Sequence, residues 1–285
     1  MTTITAKTHV CGILGHPVGH SLSPALHNAA FAARGLDFVY VAHDVAVAEL
    51  PAAIAGARAL GYRGLSITIP HKVAAMALVD EVDPTALGIG CINTIVNTGG
   101  RLRGFNSDGR GALEALRAAG ADPTGRRVVV VGSGGAARAI AMTLALEAPP
   151  EQLRVLGVVP EELSRLVADL NARRPGGARA LPMDEATLTA TLVDADLLLN
   201  CTPIGMHPHT DASPVPRSLL RRGLTVFDAV YNPRRTRLLA DAAEAGATVV
   251  EGLAMFLGQA VVQFELFTGE PAPVDVMRAV LEERL

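Results

Sequence analysis

Tryptophan is absent from this 285-residue chain, and aromatic residues make up only 4% of it. So sparse a supply of π-faces argues against a stacking platform for single-stranded nucleic acid. Cationic excess is missing too: 25 Lys and Arg stand against 28 Asp and Glu, a formal net charge of −3. Without a basic footprint, nucleic acid is not an expected partner. Cys11, Cys91 and Cys201 are scattered and form no C-x-x-C pair, which argues against a disulfide framework or a zinc knuckle. No apolar run approaches the roughly 18 residues that a membrane span requires. The opening MTTITAKTHV lacks the charged-then-apolar layout of a secretory signal. The expectation is a cytoplasmic protein with no membrane partner. What the chain does have is apolar content, 49% of residues against 19% charged, enough for one large core or two ordinary ones.

The stretch Val128–Ala139, VVVVGSGGAARA, organises the rest. Four consecutive valines suit a strand buried on both faces of a parallel sheet. Gly132, Gly134 and Gly135 then turn the chain into the helix-forming run Ala136–Leu146, with Ala137 in the third position of G-x-G-x-x-G/A. Such a turn brings backbone N–H groups close to a pyrophosphate at a helix N-terminus. Gly132, Ser133, Gly134, Gly135 and Ala136 are therefore candidate dinucleotide contacts. Five further strand patterns follow: Leu153–Val158, Gly177–Leu181, Asp196–Cys201, Leu224–Ala229 and Ala247–Val250. Helical patterns at Glu161–Ala172 and Thr236–Ala245 separate some of them, predicting a six-stranded doubly wound domain. Thr202 and Val230 follow strand ends and should face the cofactor crevice, and Gly252 closes the domain. The turn Asp122–Gly125 marks a hinge region. His207, His209 and Asp211 have alternate spacing but no evident fourth ligand, so they read as a solvated loop and no metal is expected.

The first hundred residues alternate in the same way, with strands at His9–Leu14, Phe38–Asp44 and Gly64–Ile69 and a helix at Ala46–Leu60. That alternation predicts βαβ units and a mainly parallel sheet. Ser23 before Pro24 reads as a hydroxyl N-cap with proline at N1, a role that leaves Ser21 unexplained. Pro70 stops the third strand, and His71-Lys72 opens a helix. Ligands collect at the carboxyl ends of parallel strands, where Ser21, Ser23, Thr68 and Lys72 sit. Cys91–Val96 and Arg101–Phe105 form a hairpin about Asn97–Gly100, with Asn93 inside its first strand. Asp108 precedes the helical run Ala112–Ala118 and reads as an N-cap, a ligand group, or both, since one carboxylate oxygen can cap while the other binds.

These residues resemble a known family. G-x-P-x-x-H-S-x-S-P-x-x-H-N (Gly15–Asn28), T-I-P-H-K (Thr68–Lys72), I-N-T (Ile92–Thr94) and N-S-D-G (Asn106–Gly109) are similar to shikimate dehydrogenase motifs. G-S-G-G-A-A-R-A, C-T-P-I-G-M, Y-N-P-x-x-T-x-L-L and E-G-x-x-M-x-x-x-Q follow in the family's order, so the likeness runs from about Val10 to Gln259. The resemblance implies two α/β domains with a cleft between them. A substrate-binding domain would span 1–108 and 253–285, and a Rossmann domain 109–252. The implied activity is NADP-dependent reduction of 3-dehydroshikimate to shikimate, a step of aromatic amino-acid biosynthesis, by a monomer or homodimer. It further implies that Ser21 and Ser23 bind the substrate carboxylate, and that Thr68, Asn93 and Asp108 bind its hydroxyls. Lys72 and Asp108 would be the catalytic pair, with Tyr231 and Gln259 as further substrate contacts.

Two positions depart from the pattern. Ser66 stands where the family usually shows Asn, which predicts a weaker local hydrogen bond. Leu156–Glu162 reads LGVVPEE, without the arginine that NADP-dependent members carry to hold the 2′-phosphate. Nor does an acidic residue stand directly at the strand end to grip a 2′-hydroxyl. NAD therefore remains possible, and with it an NAD-dependent quinate/shikimate dehydrogenase. A third reading, from another class, is a non-catalytic sensor that binds nucleotide or shikimate; a retained Lys72–Asp108 pair argues against it.

Overall fold

Short apolar strands alternating with helices build two six-stranded sheets in the computed structural model, which describes residues 4–19 and 21–284. His20 of the first motif lies outside the described residues. The chain divides into two units, Met1–Ser107 with Gln259–Leu285, and Asp108–Gly258.

In the first unit β1 (His9–Gly15), α1 (Ser23–Arg34), β2 (Phe38–Asp44), α2 (Leu50–Ala59) and β3 (Gly64–Ile67) wind a parallel run. After these come β4 (Glu81–Val82), α3 (Pro84–Ile89) and the hairpin β5 (Thr94–Thr98) and β6 (Arg101–Phe105). The strand order is β2-β1-β3-β5-β6-β4. β5 runs antiparallel to both β3 and β6, so the sheet is a parallel core with a hairpin added to it. Gly99 and Gly100 close that hairpin with φ of +61° and +89°; two successive positive-φ residues are the requirement of the tightest hairpin turn.

The second unit contains α4 (Asp108–Ala118), β7 (Arg127–Val131), α5 (Gly135–Glu147), β8 (Gln152–Gly157), α6 (Pro160–Arg173) and β9 (Ala178–Pro182). It continues through α7 (Glu185–Leu192), β10 (Leu197–Asn200), β11 (Thr225–Asp228), α8 (Arg237–Glu244) and β12 (Thr248–Val250). All six strands are parallel, in the order β12-β11-β10-β7-β8-β9. The valines of β7 and the leucines of β10 are fully buried, as strands covered on both faces must be.

Helix α9 (Gly252–Thr268) crosses the division between the units, and α10 (Val274–Arg284) packs on α1. The division falls at 258/259, whereas the sequence places it at 252/253. A Cβ on Gly252 would lie 2.5 Å from the Val230 carbonyl oxygen, and one on Gly258 would lie 2.7 Å from that of Gly111. The first turns of α9 therefore pack closely against the second unit. The turn Asp122–Gly125, expected as a hinge, lies inside that unit between α4 and β7.

Other local expectations are corrected too. The helix expected over Ala46–Leu60 splits into a 3₁₀ turn at Val47–Glu49 and α2, which has proline in its first turn. The segment after Pro70 is a turn, and only Ala74–Leu78 is helical, as a 3₁₀ helix. Asn93 lies one residue before β5, and Asp108 is the first residue of α4. Among the described residues no helix is long and apolar enough to cross a membrane.

Candidate active site

In the first unit the chain leaves β1 towards β2 on one side and returns to β3 on the other. The carboxyl ends of β1 and β3 thus flank a topological switch point, where open α/β sheets bind ligands. Both loops that leave this point carry candidate residues. Thr68 follows β3, and its N–H donates to the Leu14 carbonyl of β1 at 3.0 Å. A Cβ on Gly15 would lie 2.4 Å from Thr68 Cγ2, so the missing side chain allows the close approach. Val18 and Ser21 close a turn after β1 through a 3.0 Å backbone bond.

Ser23 does not cap α1. The residue before the helix is Leu22, in helical backbone conformation (φ −83°, ψ −10°), and no side chain caps the end. Ser21 Oγ instead accepts the Ser23 N–H at 3.3 Å. The helix begins one residue earlier than the Ser-Pro signal suggests, which moves the local backbone bond to Ser21.

Lys72 lies in the turn after Pro70, half-buried, and its carbonyl accepts the Ile92 N–H at 3.0 Å. That bond places the lysine backbone beside the segment leading to Asn93. His71 is buried and its Nε2 meets the Val45 carbonyl at 2.8 Å, an anchoring role for the turn. Asn93 is only 2% exposed. Its Oδ1 accepts the Ser107 N–H at 2.8 Å and the Thr94 hydroxyl at 2.7 Å, and its Nδ2 donates to Ser107 Oγ at 3.0 Å. Ser66 is not weakly held. It accepts from Tyr40 Oη at 2.6 Å and donates to Gln263 Oε1 at 2.8 Å. Gln259 is half-buried, one turn before Gln263 on α9.

In the second unit the switch point lies between β7 and β10. Gly132 has φ +113°, and a Cβ there would stand 3.1 Å from the Cys201 carbonyl oxygen, so the glycine turn lies directly against the loop after β10. Gly134 and Gly135 face open space, where a Cβ would meet nothing within 4 Å. No side chain caps α5. The turn Ser133–Ala136 thus stands at the uncapped head of a 13-residue helix, the kind of end at which backbone N–H groups can meet an anion.

A buried network fixes the two loops beside that turn. Asn200 Oδ1 accepts from the Thr202 N–H at 3.0 Å and hydroxyl at 2.7 Å, and Asn200 Nδ2 donates to Asp228 at 2.9 Å. Asp228 also accepts the Val230 N–H at 3.0 Å and the Thr236 hydroxyl at 2.6 Å. Burial raises the pKa of this carboxyl, although the three donors oppose it. Sequence reasoning singled out Thr202 and Val230 but missed Asn200 and Asp228, which hold both; the polar pair at adjacent strand ends was the available signal. Tyr231 is 42% exposed, with its ring tilted 39° to that of Phe256 at 5.5 Å between centroids, and Gly252 is buried.

The residues fit a dinucleotide, but the end of β8 offers no cation for a 2′-phosphate. Val158 and Val159 are exposed there, and the carboxylate of Glu162 meets Ser133 Oγ at 3.5 Å. Arg138 on α5 is paired with Asp169. Lys72 falls in the first unit and Asp108 in the second. His207, His209 and Asp211 form an exposed turn, and no group of three metal-binding side chains occurs among the described residues.

Comparison with known proteins gives a consistent picture. Residues 13–95 match the shikimate dehydrogenase substrate binding domain, and 252–282 the shikimate 5′-dehydrogenase C-terminal domain. The chain is 46% identical to shikimate dehydrogenase (NADP(+)) of Methanopyrus kandleri over 285 residues, covering 99% of this chain and 98% of that one. Among solved structures, shikimate 5-dehydrogenase of Listeria monocytogenes in complex with shikimate and NAD is similar with a TM-score of 0.94 at 34% identity, covering 98% of each chain. The Thermus thermophilus enzyme in complex with NADP(H) and shikimate has a TM-score of 0.86 at 36% identity, covering 98% of this chain and 100% of that one.

Proposed function

The chain belongs to the shikimate dehydrogenase family, and from that premise we propose that it is an NADP-dependent shikimate dehydrogenase interconverting 3-dehydroshikimate and shikimate in the cytoplasm. The observation that carries the reading is the pair of switch points. The loops after β1 and β3 carry Ser21, Ser23, Thr68 and Lys72, and the turn after β7 leaves open space at Gly134 and Gly135.

In this reading Ser21 and Ser23 hold the substrate carboxylate, and Thr68, Asn93 and Asp108 its ring hydroxyls. Tyr231 and Gln259 add contacts. A nicotinamide held there would supply or accept the hydride. Negative charge then develops on the former ketone oxygen, where the Lys72 ammonium stabilises it and delivers the proton. In the oxidative direction the Lys72 amine accepts the hydroxyl proton. Asp108 orients the lysine. Gly132–Ala136, Thr202, Val230 and Gly252 hold the dinucleotide. A monomer or homodimer is expected, read by sedimentation.

A second reading is an NAD-dependent quinate/shikimate dehydrogenase, favoured by the exposed Val158 and Val159 where a cation would serve NADP. Steady-state rates with shikimate or quinate, each with NADP or NAD, decide between the two. The expected outcome is the highest kcat/KM for shikimate with NADP. A preference for NAD overturns the cofactor assignment, and no turnover with any pair leaves a non-catalytic sensor.

A further inference from the structure

Behind the candidate ligands of the first unit runs an unbroken line of buried polar side chains. Tyr40 on β2 donates to Ser66 Oγ on β3 at 2.6 Å, and Ser66 donates to Gln263 Oε1 at 2.8 Å. Gln263 Nε2 donates onward to Thr94 Oγ1 at 3.0 Å and to the Asn93 carbonyl oxygen at 3.3 Å. Thr94 then donates to Asn93 Oδ1 at 2.7 Å. Every donor points the same way, from Tyr40 towards Asn93. Exposure is 5% or less at each of the five residues.

Ser107 sets which way the Asn93 amide faces, and the line holds it from the other side. A backbone N–H can only donate, so the atom 2.8 Å from Ser107 N must be the Asn93 oxygen. The Thr94 hydroxyl donates to the same oxygen, and because Gln263 Nε2 donates to Thr94 Oγ1, the Thr94 proton points away from Gln263. A buried glutamine on α9, next to the fully buried Phe264 and one turn before the fully buried Phe267, carries a desolvation cost unless each polar atom is used. Here both are used, and they tie α9 to β3 and to the start of β5.

We propose that Gln263 is a positioning residue for the dehydrogenase reaction, holding the Thr94 hydroxyl and the Asn93 backbone so that the Asn93 amide faces the substrate in one orientation. The inference rests on the reading of Asn93 as a substrate ligand. Fully satisfied buried networks of this kind specify one geometry, and an amide free to rotate would present donor and acceptor to the substrate in turn.

The test is steady-state kinetics of the full chain with shikimate and NADP, alongside thermal unfolding. Gln263→Met keeps length and shape but removes the donor and the acceptor. The KM for shikimate should rise about tenfold, the scale of one lost hydrogen bond, while kcat and the KM for NADP change less than about threefold. Gln263→Glu is isosteric, and its protonated form can still donate to Thr94. Its shikimate KM relative to the parent should be near unity in mild acid and climb as the carboxyl ionises. In the parent, burial lowers the pKa of the neighbouring His27 to about 3, with Gln263 opposing the shift, and burial raises that of Tyr40. A role in packing alone would shift the melting temperature and leave that ratio flat with pH.

Asn93→Ala separates the inference from its premise. If Asn93→Ala leaves the KM unchanged, Asn93 is not a ligand and the premise fails. If it raises the KM while both Gln263 variants match the parent, the positioning role is overturned and the premise stands. On the Asn93→Ala background, Gln263→Met should add less than twofold. A further tenfold there would place its effect elsewhere and also overturn the inference. Should Gln263→Met fail to fold, the pH profile of Gln263→Glu decides, and a flat ratio overturns the proposal.

Discussion

The first unit presents side chains at its switch point, and the second presents backbone. Ser21, Ser23, Thr68, Lys72, Asn93 and Gln259 act, in the proposed reading, through hydroxyl, amine and amide groups. The Gly132–Gly135 turn offers N–H groups and, at its three glycines, no Cβ atoms. The two surfaces are therefore vulnerable to opposite changes. Removing atoms should disable the first, and adding atoms should disable the second. The supporting networks differ as well. The line behind Asn93 consists of hydroxyls and amides, whereas the one behind Thr202 and Val230 is centred on the ionisable Asp228.

The largest effect is expected from removing the amine. Lys72→Ala should lower kcat by roughly 10²–10⁴-fold, the scale for loss of a general acid–base group. The KM for shikimate should change far less, because the serines, Thr68 and Asn93 still hold the ring. Near-normal kcat with lost affinity would make Lys72 a binding residue, and the proton would have to come from another group.

Asp228 tests the second network. Asp228→Ala strands the Asn200 amide, the Val230 N–H and the Thr236 hydroxyl, and should cost about 3 kcal/mol of stability in denaturant unfolding. Asp228→Asn should cost less, because it still accepts from Asn200 and Val230 and can donate to Thr236 Oγ1, losing only the acceptor for the Thr236 proton. It should also change the pH dependence. Because burial raises the carboxyl's pKa in the folded chain, the folded state keeps a proton that the unfolded state releases at about pH 4. Parent stability from this group therefore falls as pH rises from there to the raised value. Asp228→Asn should lack that decline; an unchanged slope would mean the carboxyl ionises as freely folded as unfolded.

Adding atoms to the glycine turn should produce a smaller, more selective loss. A Cβ on Gly134 meets no protein atom within 4 Å, and its φ is −73°. Gly134→Ala should leave unfolding within about 0.5 kcal/mol of the parent while raising the KM for the dinucleotide about tenfold or more. Gly132→Ala should lose stability as well, since its φ of +113° disfavours any side chain. Equal loss of stability in both would show that the turn is built for the fold and not for a phosphate.

This contrast also explains what could be read from the sequence. The glycine turn was legible because everything it needs is local: a buried valine strand, a turn and a helix start. The six strands of the second unit were legible for the same reason. Gln263 was not, because nothing in the apolar run of α9 distinguishes a used glutamine from a stray one; its partners on β3 and β5 lie some 170 to 200 residues away in the chain. Asp228 likewise depends on Asn200 and Thr236 arriving beside it. The division at 258/259 falls inside the continuous helix α9, where no turn residue or change of composition marks a boundary in the sequence.

The smallest expected effect separates the two serines. The Ser-Pro signal assigns Ser23 the capping role, but the backbone of Leu22 is already helical, and it is Ser21 Oγ that receives an N–H, at 3.3 Å. A bond that long is weak, so Ser21→Ala should cost less than about 0.5 kcal/mol, below the usual range for a lost N-cap. Ser23→Ala removes no capping bond and should cost no more. Both should raise the KM for shikimate several-fold with little change in kcat, because each hydroxyl is proposed to bind a carboxylate that is distant from the reacting carbon. Chemical denaturation of the two variants, paired with their KM values, distinguishes the roles. If Ser23→Ala alone loses 1 kcal/mol or more, the helix starts at Pro24 and Ser23 is its cap. If neither variant moves the KM, the loop after β1 does not hold the carboxylate, and the side-chain surface of the first unit is centred on Thr68, Lys72 and Asn93 instead.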